Sequence, residues 1–348
     1  MSLLIEKYRP REFNDLSHAP KLNHILQKLS EVKKEEGLPN LFLYGPEGVG
    51  KYTRILITLA TFSQRNPYYV KIRAIDEKKG TFICLPGVGN ISKGHRAIFC
   101  LTSSCHCEID LCQSGINKCI IPFLEHYCQT KHIDGGIHKY ILLKNAHYLQ
   151  KKNQATLRRL IETRTKAVKF LITSRSLNDL IPALQSRFLC LRNPSPEKKV
   201  AISILKKYSQ QINLKITPSR IRSILTHSRT NHHLNLKELF LVTTGTFLMM
   251  QKNKKFSVYV TDRYKAKEHL ISLFKQKNRL KIRKYLEILY THLFHHFKDI
   301  VFGELPRSFM NHEVIKLTAH WESKFKPPYP LLVAEAYIFS LLDMQACR

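Results

Sequence analysis

Three short apolar runs set the pattern of this chain: Leu41-Phe42-Leu43-Tyr44, Tyr140-Ile141-Leu142-Leu143 and Val168-Lys169-Phe170-Leu171-Ile172-Thr173. Runs of this length without polar alternation predict strands buried on both faces, as in a parallel sheet. Between them the apolar spacing changes to that of helices. Leu22, Ile25, Leu26 and Leu29 mark one amphipathic helix, and Arg54–Phe62, Ile116–Tyr127 and Lys152–Glu162 mark others. Strands alternating with helices predict an α/β fold with right-handed crossovers. The charged run Lys33-Lys34-Glu35-Glu36 ends at Gly37, which reads as a helix C-cap. Residues 63–138 are less orderly, with candidate strands at Tyr68–Ile72 and Ile98–Leu101. Pro194-Ser195-Pro196-Glu197 marks a boundary, and beyond it the pattern is helical only. A small helical block is expected over 196–250. After the basic stretch Gln251–Lys255, a larger helical block is expected over 256–348, with Ile282, Leu286, Leu289 and Leu293 on one face. No internal repeat is visible.

The first apolar run leads into Gly45-Pro46-Glu47-Gly48-Val49-Gly50-Lys51-Tyr52. A strand, a turn of the form G-x-x-x-x-G-K and a helix start make a P-loop. Its glycines let backbone N–H groups close around phosphate oxygens, and the helix N-terminus adds partial positive charge. Lys51 is placed to reach the terminal phosphates. The next position, which carries a magnesium-ligating hydroxyl in hydrolysing P-loop proteins, is Tyr52. Thr53 is no simple substitute, because one residue along a helix turns the side chain by about 100°.

Charge changes the picture most. Lys and Arg number 57 against 26 Asp and Glu, a net charge of +31, which calls for a polyanionic partner such as nucleic acid. No apolar run reaches the length of a membrane span, and the residues after Met1 do not form a signal peptide. Nine scattered cysteines without an export signal fit free thiols in a reducing compartment.

Taken together, the motifs resemble the small subunits of replication factor C, the AAA+ sliding-clamp loader. Glu6-Lys7-Tyr8-Arg9-Pro10 is similar to that family's N-terminal box, which lies over adenine. Leu41–Lys51 is similar to its P-loop. Gln154-Ala155-Thr156-Leu157-Arg158-Arg159 with Glu162 resembles its Q-x-A-L-R-R-x-x-E helix, and Ile181-Pro182 with Ser186-Arg187-Phe188 resembles its Ser-Arg-Cys segment. The resemblance implies an AAA+ base over 1–195, a helical lid over 196–250 and a helical collar over 256–348. It implies nucleotide contacts from Tyr8, Arg9, Pro10, Gly45, Pro46, Gly48, Val49, Gly50 and Lys51. It also implies that Arg187 serves as an arginine finger on a neighbouring subunit's γ-phosphate.

The departures from the family pattern concern hydrolysis. Where active members carry Asp-Glu after the second apolar run, this chain has Lys144-Asn145. The Asp organises magnesium and the Glu polarises water; a lysine repels the metal, and an asparagine cannot act as a base. The sensor asparagine is replaced by Arg175 and the lid arginine by Lys237. The expected ligand is therefore ATP or ADP held as a structural group, without well-bound magnesium and without hydrolysis in cis.

Cys105-His106-Cys107, Cys112 and Cys119 lack zinc-site spacing, and no metal is expected. Lys118, Lys151 and Lys152 sit at helix starts, which in clamp loaders line the inner surface of the subunit spiral and track the DNA backbone. The reading is a clamp-loader subunit whose partners are other AAA+ subunits, a sliding clamp and primer–template DNA bound without sequence preference. Two alternatives stand beside it: an autonomous DNA-stimulated AAA+ ATPase, and a DNA-binding scaffold outside a loader. The divergence and basicity suit a cellular nuclear protein and a large DNA virus replicating in cytoplasm equally.

Overall fold

The computed structural model describes residues 6–33, 35–68, 70–76, 82–83, 97–113, 115–129, 138–164, 167–212, 214, 216–230, 233–253, 262–292, 299–306, 312–324 and 330–346. They form two compact units: residues 1–215 with 233–240, and residues 216–232 with 241–348. The segment expected as the lid, 196–250, is shared between them.

The first unit is built on one sheet. Its strands are β1 (Leu41–Tyr44), β2 (Lys71–Asp76), β3 (Phe82–Ile83), β4 (Ala97–Thr102), β5 (His106–Asp110), β6 (Lys139–Lys144), β7 (Val168–Ser174) and β8 (Leu189–Arg192). They lie in the order β3-β2-β4-β5-β6-β7-β1-β8. From β5 to β8 every neighbouring pair is parallel. The other edge is antiparallel, through β2–β3, β2–β4 and β4–β5. The expected parallel sheet is therefore mixed. The cause at β4–β5 is the three-residue link 103–105, which is far too short for a parallel crossover. Ser103 closes that turn: its N–H donates to the His106 carbonyl (2.8 Å), and its hydroxyl accepts from the N–H groups of Cys105 and His106.

The apolar runs are buried on both faces, as their lack of alternation required. Leu41, Leu43, Tyr140, Leu142 and Leu171 pack with the helices Pro20–Ser30 and Lys51–Ser63. Phe42, Ile141, Leu143, Phe170 and Ile172 pack on the opposite side with the helices Ile116–Gln129 and Lys151–Arg164. Truncating any one of these to alanine would cost about 2–5 kcal/mol. The first amphipathic helix stops at Ser30 rather than reaching Gly37. Gly37, in left-handed backbone at φ 71°, instead ends a separate turn whose N–H donates to the Lys33 carbonyl.

The second unit has its own core, where Leu270, Phe274, Ile282, Leu286, Leu289, Ile300, Tyr337 and Leu341 meet. Ile282, Leu286 and Leu289 share one buried face of the helix Arg279–His292, while Leu293 lies outside the described residues. No helix among the described residues is long and apolar enough to cross a membrane.

Candidate nucleotide site and its neighbours

The carboxyl ends of β5, β6, β7 and β1 lie side by side along one edge of the sheet, where open α/β folds hold their ligands. Those ends bring together Asp110, Lys144, Ser174 and Tyr44, followed directly by Asn145, Arg175 and the P-loop.

The loop is tightly supported. At Gly45 an added Cβ would lie 2.0 Å from the Asn193 carbonyl oxygen, so only glycine fits. At Gly48, with φ +69°, a Cβ would lie 1.6 Å from Asn235 Oδ1. Asn235 also caps the helix Leu236–Asn253, accepting from the Glu238 N–H at 3.2 Å, and the Lys237 N–H donates to the Gly48 carbonyl at 3.3 Å. Behind the loop, Arg54 is 1% exposed. It donates to Asn23 Oδ1 (2.9 Å), the Val49 carbonyl (3.1 Å) and the His18 carbonyl (2.6 Å). Burial pulls its pKa down to about 10, so it remains a cation and braces the loop through carbonyls. The buried Asn193 amide, with its oxygen toward the loop, accepts from Lys51 N–H and Arg54 Nη1 at 3.2 Å each. Sequence reasoning singled out neither Asn193 nor Asn235, and no motif marks them.

Lys51 Nζ folds back onto the carbonyls of Gly45 (2.6 Å) and Pro46 (2.7 Å). Burial pulls its pKa down to about 8; Arg175 adds to the effect and Glu47 opposes it. The glycine cradle, the helix start and this lysine fit a nucleotide's phosphates.

The positions that would serve hydrolysis are occupied otherwise. Lys144 Nζ lies 2.5 Å from Glu108 Oε1 and 4.9 Å from the centre of the Tyr52 ring. Glu108 is 1% exposed; burial would raise its pKa, but His106 and Lys144 hold it down at about 2. The Arg9 guanidinium lies 5.0 Å from the same Tyr52 ring and donates to Thr53 Oγ1 at 3.3 Å. Arg175 donates through Nε (2.9 Å) and Nη2 (2.5 Å) to Glu47 Oε1. Asn145 donates to Asp110 Oδ1 at 2.8 Å. Burial and Arg175 press the pKa of His147 down to about 4, so that ring is neutral near pH 7.

Magnesium does not fit this arrangement. Neither usual side-chain oxygen ligand is present: Tyr52 and Lys144 stand at those positions, and an ammonium cannot ligate a cation.

Of the expected adenine box, Tyr8 meets Tyr208 edge-on at 5.7 Å, and Tyr208 meets Phe240 at 4.7 Å. Pro10 is partly exposed and Val49, within the P-loop, is buried. Arg187 sits away from the P-loop, just after the short helix Pro182–Gln185, and is ion-paired with Glu162 of the Lys151–Arg164 helix. Lys118, Lys151 and Lys152 are exposed. Their two helix starts are stitched together at Asn117. Its carbonyl accepts from Asn153 Nδ2 (2.6 Å), its Oδ1 from the Gln150 N–H (3.0 Å), and its own amide donates to the Tyr148 carbonyl (2.9 Å). Among the described residues no group of three or more His, Cys, Asp or Glu side chains could hold a metal ion.

No family model matches the chain. It is 31% identical over 215 residues to replication factor C subunit 5 of Saccharomyces cerevisiae, which covers 59% of this chain and 57% of the yeast protein. It is 26% identical over 236 residues to replication factor C subunit 3 of Bos taurus, covering 66% and 62%. The chain thus spans less than two thirds of these relatives' length. Against replication factor C subunit 5 of Schizosaccharomyces pombe, 26% identity extends over 258 residues, 73% of this chain and 67% of that one. Among solved structures it is similar to the Aeropyrum pernix ORC1 protein in complex with DNA, with TM-score 0.52 and 13% identity over 99% of this chain and 87% of that one. It is also similar to the Thermotoga maritima RuvB Holliday junction branch migration motor, with TM-score 0.50 and 13% identity over 77% and 80%. Likeness at that identity concerns the fold, which is that of AAA+ P-loop proteins. With the P-loop, the sheet order and these relatives together, the chain is a divergent relative of the replication factor C small subunits, built on the AAA+ fold.

Proposed function

We propose that this protein is a clamp-loader subunit that binds nucleotide without hydrolysing it and acts through its neighbours. The observation that carries the proposal is a contrast within one site. The phosphate cradle of Gly45, Gly48, Gly50 and Lys51 is braced from behind by Arg54 and Asn193. The positions for metal and attacking water hold Lys144 and Asn145, tied to Glu108 and Asp110. Lys51 and the loop N–H groups would hold the phosphates of ATP or ADP, and Tyr8, Arg9 and Pro10 would stand toward the adenine. The position of the water-polarising glutamate holds Asn145, which has no basic oxygen and whose amide donates to Asp110.

In this reading the exposed Lys118, Lys151 and Lys152, held on adjoining helix starts, contact DNA phosphates without reading bases. The partners are other AAA+ subunits, a sliding clamp and primer–template DNA. Arg187 completes a neighbour's catalytic site.

The test is steady-state ATP turnover by the purified chain with primer–template DNA, beside the set of proteins that co-purify with it. The expected result is no turnover alone, together with recovery of AAA+ subunits that carry intact P-loop and Asp-Glu motifs. DNA-stimulated turnover that disappears in Lys51→Ala would establish an autonomous ATPase instead. DNA binding without AAA+ partners would establish a scaffold outside a loader.

A further inference from the structure

A site that keeps its phosphate cradle but rejects magnesium has to neutralise phosphate charge in another way. The cations for this are present. Lys144 ends β6, the strand whose end supplies the metal-organising carboxylate in hydrolysing relatives of this fold. Its ammonium lies over the Tyr52 ring at 4.9 Å, and Tyr52 stands where the metal-ligating hydroxyl would be. Glu108 anchors that ammonium from below at 2.5 Å and is itself almost wholly buried, whereas the Lys144 side chain keeps 24% of its surface exposed. The lysine is therefore fixed at its inner side and open at its outer side. Arg175 directly follows β7, the next strand, and its guanidinium reaches Glu47 inside the P-loop itself, with both side chains about one third exposed. Two cations thus border the loop from adjacent strand ends, each located by its own carboxylate.

We infer that Lys144, assisted by Arg175, takes the charge-neutralising place of magnesium, so that the P-loop binds a nucleoside di- or triphosphate without any divalent cation. The inference rests on the proposal that this P-loop binds nucleotide, and it goes further by fixing the chemical form of the ligand: the metal-free polyphosphate. An ammonium and a guanidinium donate hydrogen bonds to the phosphate oxygens that a magnesium ion would otherwise ligate directly. It also follows that the nucleotide resists chelators, as a structural ligand must wherever free magnesium fluctuates.

The experiment is equilibrium binding of ADP and ATP to the full chain, measured by calorimetry in excess chelator and again in excess magnesium. The expected dissociation constants agree within about twofold between the two conditions. Lys144→Met should weaken binding by about tenfold or more in chelator, whereas Lys144→Arg should retain it. Thermal unfolding of each variant reports whether the fold survives, and the paired Lys144→Asp, Tyr52→Thr variant gives a second arm. By restoring the oxygen ligands it should make binding magnesium-dependent. Wild-type affinity that rises about tenfold or more with magnesium overturns the inference while leaving nucleotide binding intact. So does a folded Lys144→Met that binds normally in chelator. Absence of binding under both conditions, equal to that of Lys51→Ala, overturns the nucleotide reading itself.

Discussion

Lys51 is a half-buried ammonium whose hydrogen-bond partners among the described residues are the carbonyl oxygens of Gly45 and Pro46. Its pKa, pulled down by burial to about 8, makes the cradle pH-sensitive just above neutrality. Below that value the lysine is charged and attracts phosphate. Above it the unliganded protein has lost the proton, and a bound polyanion must draw it back. Nucleotide affinity should therefore fall as pH rises from about 8, by up to tenfold per pH unit, with one proton taken up per nucleotide bound. Calorimetry in buffers of different ionisation enthalpy measures that uptake. A flat affinity with no proton uptake would place the lysine's charge outside the binding step. At this scale the sequence was informative where a motif fixes residue types: Gly45, Gly48, Gly50 and Lys51 were legible. Glu47 was an unspecified position inside that motif, and its partner Arg175 lies 128 residues away. Glu108 directly follows Cys105-His106-Cys107 and carries no motif of its own. Neither pairing can be found from spacing, because the sheet order that creates them is a long-range property.

Between elements, a tight joint is formed by the P-loop turn against the start of the Leu236–Asn253 helix. Gly48 occupies left-handed backbone, and its missing side chain makes room for Asn235, the residue that caps that helix. Gly48→Ala should lose roughly 1–3 kcal/mol from both backbone strain and displacement of the cap. Asn235→Ala should lose only the cap, of order 1 kcal/mol. Because both changes act on one contact, the double variant should be more stable than the sum of the two predicts, by about 0.5 kcal/mol or more. Denaturant unfolding of the four proteins measures this coupling, and strict additivity would mean the two elements do not press on each other. The same scale shows what hydrophobic pattern can and cannot specify. The apolar runs of β1, β6 and β7 and the helices after them were legible because burial on both faces leaves no other periodicity. The antiparallel edge was not, since strand direction is not written in apolar spacing. It is set at β4–β5 by a turn of three residues, and the information lay in that link length and in Ser103. The early end of the first helix, at Ser30 rather than Gly37, has a similar cause: a glycine suited to left-handed backbone closes any turn, helical or not.

For the whole molecule, the charge of +31 and the exposed lysines at the joined helix starts are what support the proposed polyanion contact, and Arg187 carries the proposed action on a neighbour. Within the chain its guanidinium is paired with Glu162, which also lies 3.8 Å from Arg158. That pairing is half exposed, so Arg187 can exchange one carboxylate for a phosphate of comparable geometry without uncovering a buried charge. Its planar fork is what suits it to both, and lysine cannot reproduce it. In a reconstituted complex, Arg187→Lys should therefore behave like Arg187→Ala. Both should leave folding and assembly largely unchanged, since an exposed ion pair contributes only about 0–1 kcal/mol. Both should depress ATP turnover at the adjoining subunit by up to about 10³-fold when the finger is fully engaged. Glu162→Gln separates the two roles of the arginine: it removes the competing carboxylate and should leave neighbour turnover equal to wild type or higher. The measurement is ATP hydrolysis with every other site silenced by its own P-loop lysine substitution. Undiminished turnover at the neighbour in Arg187→Ala would reduce this arginine to the ion pair it makes with Glu162, and the chain to a spacer that contributes surface but no chemistry.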